Sequence, residues 1–323
     1  MSKMRIAVIG ADQLDPDHHS ALNALAEADK ISAFALDTPP LPDGLETVAQ
    51  AIQQDQIDAI IYSGALSNLR EWACFALQNG WPFYSTHPVP LTIEDTVEIR
   101  RQEQMARPAQ LQFALTGRLH DAAQVALSKA NSGDYGELLT MRAVCGGTPD
   151  EMSNTPIFGL GANLLDLMQA FAGPFQDVSG FSDNSGAPAG EASNIFATLR
   201  THAGLVASLH VSTTQWRPTY RLELGFERGY LWLEGLNTQQ QSFGHEVLVY
   251  ARSDGGSVKH ETVDRFENSD GAAAALKGFI GRVEDPSRPN LGTSQQAFDT
   301  LNTIQRILAA DHIFDPIEER HAS

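Results

Sequence analysis

Two stretches of the chain place polar, titratable side chains where chemistry can happen. The first is Ser85-Thr86-His87-Pro88-Val89-Pro90. Before it, Gly80 stops a helix and Pro82-Phe83-Tyr84 reads as a short apolar strand. After it, Pro88 and Pro90 enforce an extended elbow, and Thr92 with Asp95 three residues on starts a new helix as a capping pair. Thr86 and His87 therefore stand at the end of a strand, the edge at which α/β sheets bind ligands. An imidazole there can take or give a proton near neutral pH; the alternative is a plain loop histidine. The second stretch is Gly161-Ala162-Asn163-Leu164-Leu165-Asp166-Leu167-Met168. Its apolar spacing predicts a helix with Asn163 and Asp166 one turn apart on one face. A carboxylate among Leu164, Leu165, Leu167 and Met168 needs a partner or a ligand, unless it is a structural cap on a neighbouring loop. Asn163 cannot act as a general base at ordinary pH, but it can hydrogen-bond a hydroxyl.

The elements that must position these residues fall into two patterns. Arg5–Gly10, Ile31–Leu36 and Asp58–Ser63 read as strands, alternating with helices near 18–27, 45–54 and 67–79. The apolar runs at 5–10 and 58–63 suit strands buried on both faces. This alternation through Arg118 predicts a Rossmann-type, doubly wound parallel sheet over residues 1–118. Beyond it come a helix near 120–132, a strand at 138–145, an aperiodic loop at 146–158 and the helix at 161–171. Four or five strands then follow without intervening helices (195–200, 205–212, 221–226, 230–234, 246–251), with Thr201-His202-Ala203-Gly204 as a hairpin turn. Residues 119–323 are thus expected to form an α+β domain with a large, mostly antiparallel sheet, closed by helices near 270–283 and 294–310. The fold class is α/β.

Composition narrows the function. The chain has 323 residues, 42% of them hydrophobic, enough to bury a substantial core. Forty acidic residues against 22 basic give a net charge of −18. No basic stripe is available to displace counterions from a phosphate backbone, so nucleic-acid and anionic-membrane partners are disfavoured. Cys74 and Cys145 have no metal or redox spacing, which fits a reducing compartment. The N-terminal apolar strand is too short for a signal segment or a membrane span. A cytoplasmic location is expected. The histidines offer no metal-site spacing, and there is no Gly-x-Ser-x-Gly elbow or Walker loop.

The order and spacing of several motifs together resemble the Gfo/Idh/MocA oxidoreductases, named for glucose-fructose oxidoreductase and inositol dehydrogenase. They are the first strand with Gly10, His18-His19-Ser20-Ala21-Leu22, Asp58 through Gly80, Arg118, and Ser132 to Glu137. Gly161 with Asp166, Gly225 to Leu231, and Lys277-Gly278-Phe279-Ile280 complete the set. The resemblance spans nearly the whole chain. It implies NAD-dependent hydride transfer on a sugar, polyol or related hydroxy or keto compound, and a homodimer or homotetramer through the second-domain sheet.

Position by position, the resemblance also shows departures. Gly10-Ala11-Asp12-Gln13-Leu14-Asp15 stands where the phosphate loop Gly-x-Gly-x-x-Gly is expected, so two glycines have become aspartates. Asp37, ending the second strand, is placed to accept bonds from an adenosine ribose and so favours NAD over NADP; its other reading is a turn or cap aspartate. Ser63 and Gly64 line the cofactor side, with Gly64-Ala65-Leu66 replacing a Thr-Pro-Asn. Thr86-His87-Pro88 aligns with a Glu-Lys-Pro, and Asn163 with the family's histidine. Under the resemblance the catalytic candidates are His87, Asn163 and Asp166. Residues 10–14 (Gly10, Ala11, Asp12, Gln13 and Leu14), Asp37, Ser63, Gly64 and Thr86 are the cofactor candidates, and Arg118 and Trp216 the substrate candidates. An interdomain ion pair for Arg118 and oligomer packing for Trp216 are the alternatives. Simultaneous loss of two glycines, the Lys and the His also supports a second reading, a non-catalytic relative that senses a ligand or binds a partner. A lyase or isomerase using His87 without a cofactor is a third.

Overall fold

In the computed structural model the described residues are 3–28, 30–36, 44–106, 110–148, 156–183, 193–239, 243–253, 255 and 260–310. The chain forms two compact units. The first comprises Met1–Asp121, Thr238–Gln240 and Asn268–Leu301; the second comprises Ala122–Asn237, Gln241–Glu267 and Asn302–Ser323.

The first unit is built on five parallel strands, β1 (Met4–Ile9), β2 (Ile31–Leu36), β3 (Ala59–Tyr62), β4 (Phe83–Ser85) and β5 (Leu111–Phe113), in the order β2-β1-β3-β4-β5. The strand order reverses between β1 and β3, which makes the carboxyl ends of those two strands the switch point of the sheet. Side chains alternate between two buried faces. Met4, Ile6 and Val8 join Ala59, Ile61 and Tyr84 beneath helices α1 (Pro16–Glu27) and α7 (Gly271–Glu284). Those helices contribute Ala21, Leu22 and Leu25, and Ala275, Leu276, Phe279 and Ile280. On the other face Tyr62 lies against Phe83 and against Trp72 of α3 (Leu69–Gln78), with ring centroids 6.0 and 6.2 Å away. Helices α2 (Gly44–Gln54) and α4 (Ile93–Met105) complete the alternation. Thr92 caps α4 by accepting the Asp95 amide at 3.0 Å. β5 is not evident in the sequence because polar Gln112 interrupts it. That side chain is fully buried and donates to the Ala275 carbonyl at 2.9 Å.

The second unit carries helix α5 (Asp121–Asn131), α6 (Leu160–Ala172) and an eight-stranded sheet. Its strands are β6 (Leu138–Gly146), β7 (Phe175–Asp183), β8 (Asn194–Thr201), β9 (Val206–Ser212), β10 (Thr219–Phe226), β11 (Gly229–Glu234), β12 (Glu246–Arg252) and β13 (Thr262–Phe266). The order is β13-β12-β11-β10-β6-β9-β8-β7, and every pairing is antiparallel except β6 with β9. The turn at 201–204 joins β8 to β9, with Gly204 at φ +94° donating to the Thr201 carbonyl. The expected four or five strands after α6 are corrected to seven among the described residues. The two additions, β7 and β13, are the sheet edges, where polar residues such as Asp177, Ser179 and Asp264 blunt the apolar alternation. Helix α8 (Ser294–Ala310) ends the described chain. No helix among the described residues is long and apolar enough to cross a membrane.

Candidate functional site

The switch point of the first unit brings together the predicted Gly10, Ser63, Gly64, Thr86 and His87. Gly10 takes a left-handed conformation (φ 76°, ψ 39°), and a Cβ there would lie 2.5 Å from the Gly64 amide nitrogen. The turn after β1 is therefore a close backbone approach that only glycine allows. The Ser63 hydroxyl donates to the Gln13 carbonyl at 3.2 Å, and the Thr86 hydroxyl donates to Ser63 Oγ at 3.1 Å. The His87 Nε2–H donates to the Gly64 carbonyl at 2.7 Å, which fixes the tautomer. The His87 amide donates to Ser85 Oγ at 3.1 Å. Burial pulls the His87 pKa below its ordinary value, only partly offset by the bond to Gly64, so the ring is neutral at pH 7. Its Nδ1 lone pair has no partner among the described residues and is available as an acceptor.

The glycine-rich position behaves differently from a phosphate cradle. Ala11, Asp12 and Gln13 form a 3₁₀ turn, in which the Gln13 amide bonds the Gly10 carbonyl at 2.9 Å and the Leu14 amide bonds the Ala11 carbonyl at 3.4 Å. Helix α1 starts only at Pro16, which has no amide hydrogen to offer. Asp15 is the N-cap. Its Oδ1 accepts the His18 amide at 3.0 Å, and its Oδ2 lies 2.7 Å from His18 Nδ1. On the other side of the ring, His18 Nε2 is 2.9 Å from the buried Tyr84 hydroxyl. Burial raises the Asp15 pKa, but the hydrogen bonds and charge of His18 outweigh it and hold the carboxyl below its ordinary value. Two residues on, Asp17 Oδ1 accepts the Gln239 amide at 2.6 Å. Burial pushes the Asp17 pKa up against the pull of that amide, and the nearby Asp15 and Asp270 charges add to the rise.

These facts decide whether a dinucleotide diphosphate fits. A helix N-terminus attracts an anion by about 0.3–1 kcal/mol, up to ~2. A like-charge contact at ~4 Å costs about 4 kcal/mol at an effective dielectric of 20. Asp15 already sits on the helix end, with Asp17 beside it and Asp12 exposed in the turn, and three carboxylates there disfavour a further anion. Two of the turn's own donors, the Gln13 and Leu14 amides, are engaged within it. The residues at this position do not fit a diphosphate. Asp37, the predicted ribose partner, lies outside the described residues. Ala11, the first residue of the 3₁₀ turn, and Leu14, just after it, are half-buried.

The second unit holds the other candidates. Asn163 is half-buried in the first turn of α6, and its Nδ2 donates to the Gly159 carbonyl at 3.3 Å. Asp166 is buried, at 1% exposure, on the same helix. Gly161 lets the helix approach β9 closely, since a Cβ there would lie 3.0 Å from the Pro156 carbonyl and 3.1 Å from Val211. The sequence motifs pass over two neighbours. The Tyr220 hydroxyl is buried with no hydrogen-bond partner among the described residues, and its pKa is driven up by burial first, then by Cys145, Glu246 and Asp166. Glu246, 2% exposed, accepts the Ala122 amide at 2.8 Å at the start of α5. A glutamate opening the strand Glu246-Val247-Leu248 is the one signal the sequence offers for it. Trp216 projects into solvent at 93% exposure. Arg118, in the first unit, is half-buried in a 3₁₀ turn at Gly117–Leu119. Among the described residues no three His, Cys, Asp or Glu side chains converge to hold a metal ion.

A family model described as the GFO/IDH/MocA C-terminal domain matches residues 128–232. No functionally curated protein matches the chain by sequence. Among solved structures, the chain is similar to UDP-N-acetylglucosamine 3-dehydrogenase GnnA from Acidithiobacillus ferrooxidans (TM-score 0.75, 18% identity, 97% of this chain and 99% of that one). It is also similar to the WlbA dehydrogenase from Bordetella pertussis, solved with NADH and UDP-GlcNAcA (TM-score 0.73, 14% identity, 96% and 97%). A third is an oxidoreductase from Agrobacterium radiobacter, solved with NAD+, L-tartaric acid and magnesium (TM-score 0.75, 14% identity, 96% of each chain). At these identities the likeness speaks for the fold.

Proposed function

From the match of residues 128–232 to the GFO/IDH/MocA C-terminal domain, we propose that the chain is a divergent Gfo/Idh/MocA relative of NAD-dependent oxidoreductases that binds a small hydroxylated or keto compound without a diphosphate-anchored dinucleotide. The observation that carries this reading is the Asp15 carboxylate seated on the N-terminus of α1 and pinned by His18. Two further positions agree with it. Asn163, an amide, can hold a substrate hydroxyl but cannot take its proton. His87 has its one N–H engaged by Gly64, which leaves an acceptor and no mobile proton at neutral pH. Asp166 on the same helix as Asn163 belongs to the proposed ligand environment of the second unit.

The other reading is NAD-dependent hydride transfer on a sugar, polyol or related compound. It draws on the Gly10 turn, on the small Gly64-Ala65 pair, and on the nicotinamide complexes of the structural neighbours. Calorimetric titration with NAD and NADP separates the two. The expected result is no saturable binding to the wild-type chain at about 1 mM cofactor, and a gain of binding in the double variant Asp12→Gly/Asp15→Gly. Micromolar NAD binding by the wild-type chain would overturn the first reading and justify a dehydrogenase screen with His87→Ala as the control.

A homo-oligomer is part of the proposal. Phe181, Phe196, His210, Val144, Arg221 and Glu234 are register partners in one row across the sheet face turned away from α6. Phe181 and Phe196 are more than half exposed there. An apolar and ion-paired face of this kind suits self-association, and sedimentation velocity of wild type against Phe196→Glu tests it. The proposed compartment is the cytoplasm, in keeping with two free cysteines, Cys145 buried and Cys74 half-buried.

A further inference from the structure

The second unit has a concavity of about 420 Å³ on the side of α5, bounded by the last turn of that helix, the end of β12 and the start of β13. We infer that it is a binding site for a phosphoryl group, carried by a small sugar phosphate. Its charge is the reverse of the chain's. Lys129 and Arg252 line it, with the His260 imidazole beside them, against Asp134, the one carboxylate among the described lining residues, in a protein with 40 acidic and 22 basic residues. Asp134 is already paired with Arg252 at 3.2 Å, so it does not cancel Lys129. The Lys129 ammonium sits 3.8 Å over the Tyr250 ring and has no carboxylate within ion-pair reach among the described residues. A cation–π contact of this kind holds a lysine head in place for about 0.5–1 kcal/mol, with N–H donors on the side away from the ring left to point at a ligand.

The wall opposite is rigid. Arg228 donates to the Asp134 and Gly133 carbonyls at 3.0 and 2.7 Å, and the Ser132 hydroxyl accepts the Asp134 amide at 3.1 Å. The 132–136 turn is thereby held against the body of the unit, with the Tyr135 ring packed 5.5 Å from Phe226. Ser128 and Thr262 line the same space and bring hydroxyl side chains to it. Ammonium, guanidinium and hydroxyl donors around one concavity are the recognition set of an oxyanion with several acceptor oxygens. The volume exceeds what a lone phosphate fills and lies in the range of small-ligand pockets, about 300–1,000 Å³. In a chain of this net charge, an anion finds few other places where the local field favours it.

The test titrates the full chain with glucose 6-phosphate, inorganic phosphate and glucose, by calorimetry in a phosphate- and sulfate-free buffer. Glucose 6-phosphate is expected to bind saturably, Lys129→Gln to weaken it by about tenfold, and Lys129→Arg to retain most of the affinity. Competition by inorganic phosphate at higher concentration supports the ester as the ligand. Equal binding of phosphate and ester would move the source to free phosphate and overturn the sugar part of the inference. Glucose binding as well as its phosphate, an unchanged affinity in Lys129→Gln, or no saturable binding of either anion below about 10 mM would overturn the site itself. None of these outcomes depends on whether NAD binds.

Discussion

The carboxyl edge of the first sheet and the α6 face of the second unit hold their polar groups in opposite ways. At the first edge the backbone does the positioning. Gly10, Ser63 and Gly64 lie in van der Waals contact, and side chains such as Ser63, Thr86, Asp15 and His87 close hydrogen bonds onto main-chain groups or onto one another. Around α6 the positioning comes from burial. Asp166, Glu246 and Tyr220 are buried to 1, 2 and 3% exposure, and among the described residues the Tyr220 hydroxyl has no hydrogen-bond partner. A site made of main-chain bonds has few degrees of freedom left for a ligand to use. Around α6 the Tyr220 hydroxyl is the group that burial leaves with polar capacity in reserve.

The largest expected effect breaks the comparison at its backbone side. Gly10→Ala puts a Cβ 2.5 Å from the Gly64 nitrogen in a left-handed conformation, and should cost roughly 3 kcal/mol or prevent folding. Gly161→Ala meets atoms at 3.0 Å and beyond, and a helical alanine recovers about 1 kcal/mol. Its net change should stay within about 1 kcal/mol. Urea melts of both variants check the contrast; equal effects would abolish it.

Next in size is the cap. Asp15→Ala should lose about 1 kcal/mol, up to ~2. The sign of its pH dependence follows from a folded pKa below the ordinary 3.8. The ionised cap contributes fully above that value, and its contribution fades as pH falls through the lower folded pKa. Acid melts of Asp15→Ala should therefore be flatter than wild type below about pH 4.

These experiments also bear on how much is readable in advance. The apolar runs of β1 and β3, the Thr92 cap and the Gly204 turn carry their structure locally, so the sequence predicts them. Asp15 is visible as a lost glycine, yet its role depends on His18 and Tyr84, one of them 69 positions away in the chain. The Asp15-Pro16 pair, a cap residue followed by the residue favoured at the first helical position, is the local clue. β7 and β13 escape because edge strands lack two-sided burial. The parallel pairing of β6 with β9 escapes because partner choice within a sheet leaves no mark on either strand alone.

A smaller effect is expected at His87. Its folded pKa lies below the ordinary 6.5, so the unfolded chain binds more protons beneath that pH and stability falls as pH drops through the window. His87→Gln should flatten the stability slope between about pH 6.5 and 5, as read by melts at stepped pH. An unchanged slope would show that the ring is not held neutral. The smallest effect is Tyr220→Phe. Removing a hydroxyl that has no partner deletes an uncompensated desolvation cost, so stability should hold or rise by up to about 1 kcal/mol. A loss above about 1 kcal/mol would reveal a bound water or a hidden partner.

Helix α7 supplies half of the apolar roof over β1, yet it is encoded about 150 residues after the first unit's opening segment ends at Asp121. At a synthesis rate of about 5–20 residues per second, the nascent first sheet waits roughly 7–30 s for Leu276 and Phe279 to emerge. During that interval Met4, Ile6, Val8 and Tyr84 are covered on one side by α1 alone. The growing chain thus passes through a stage with an uncovered apolar sheet face, a natural client for a ribosome-associated holdase. A chain truncated before Gly271 would remain at that stage.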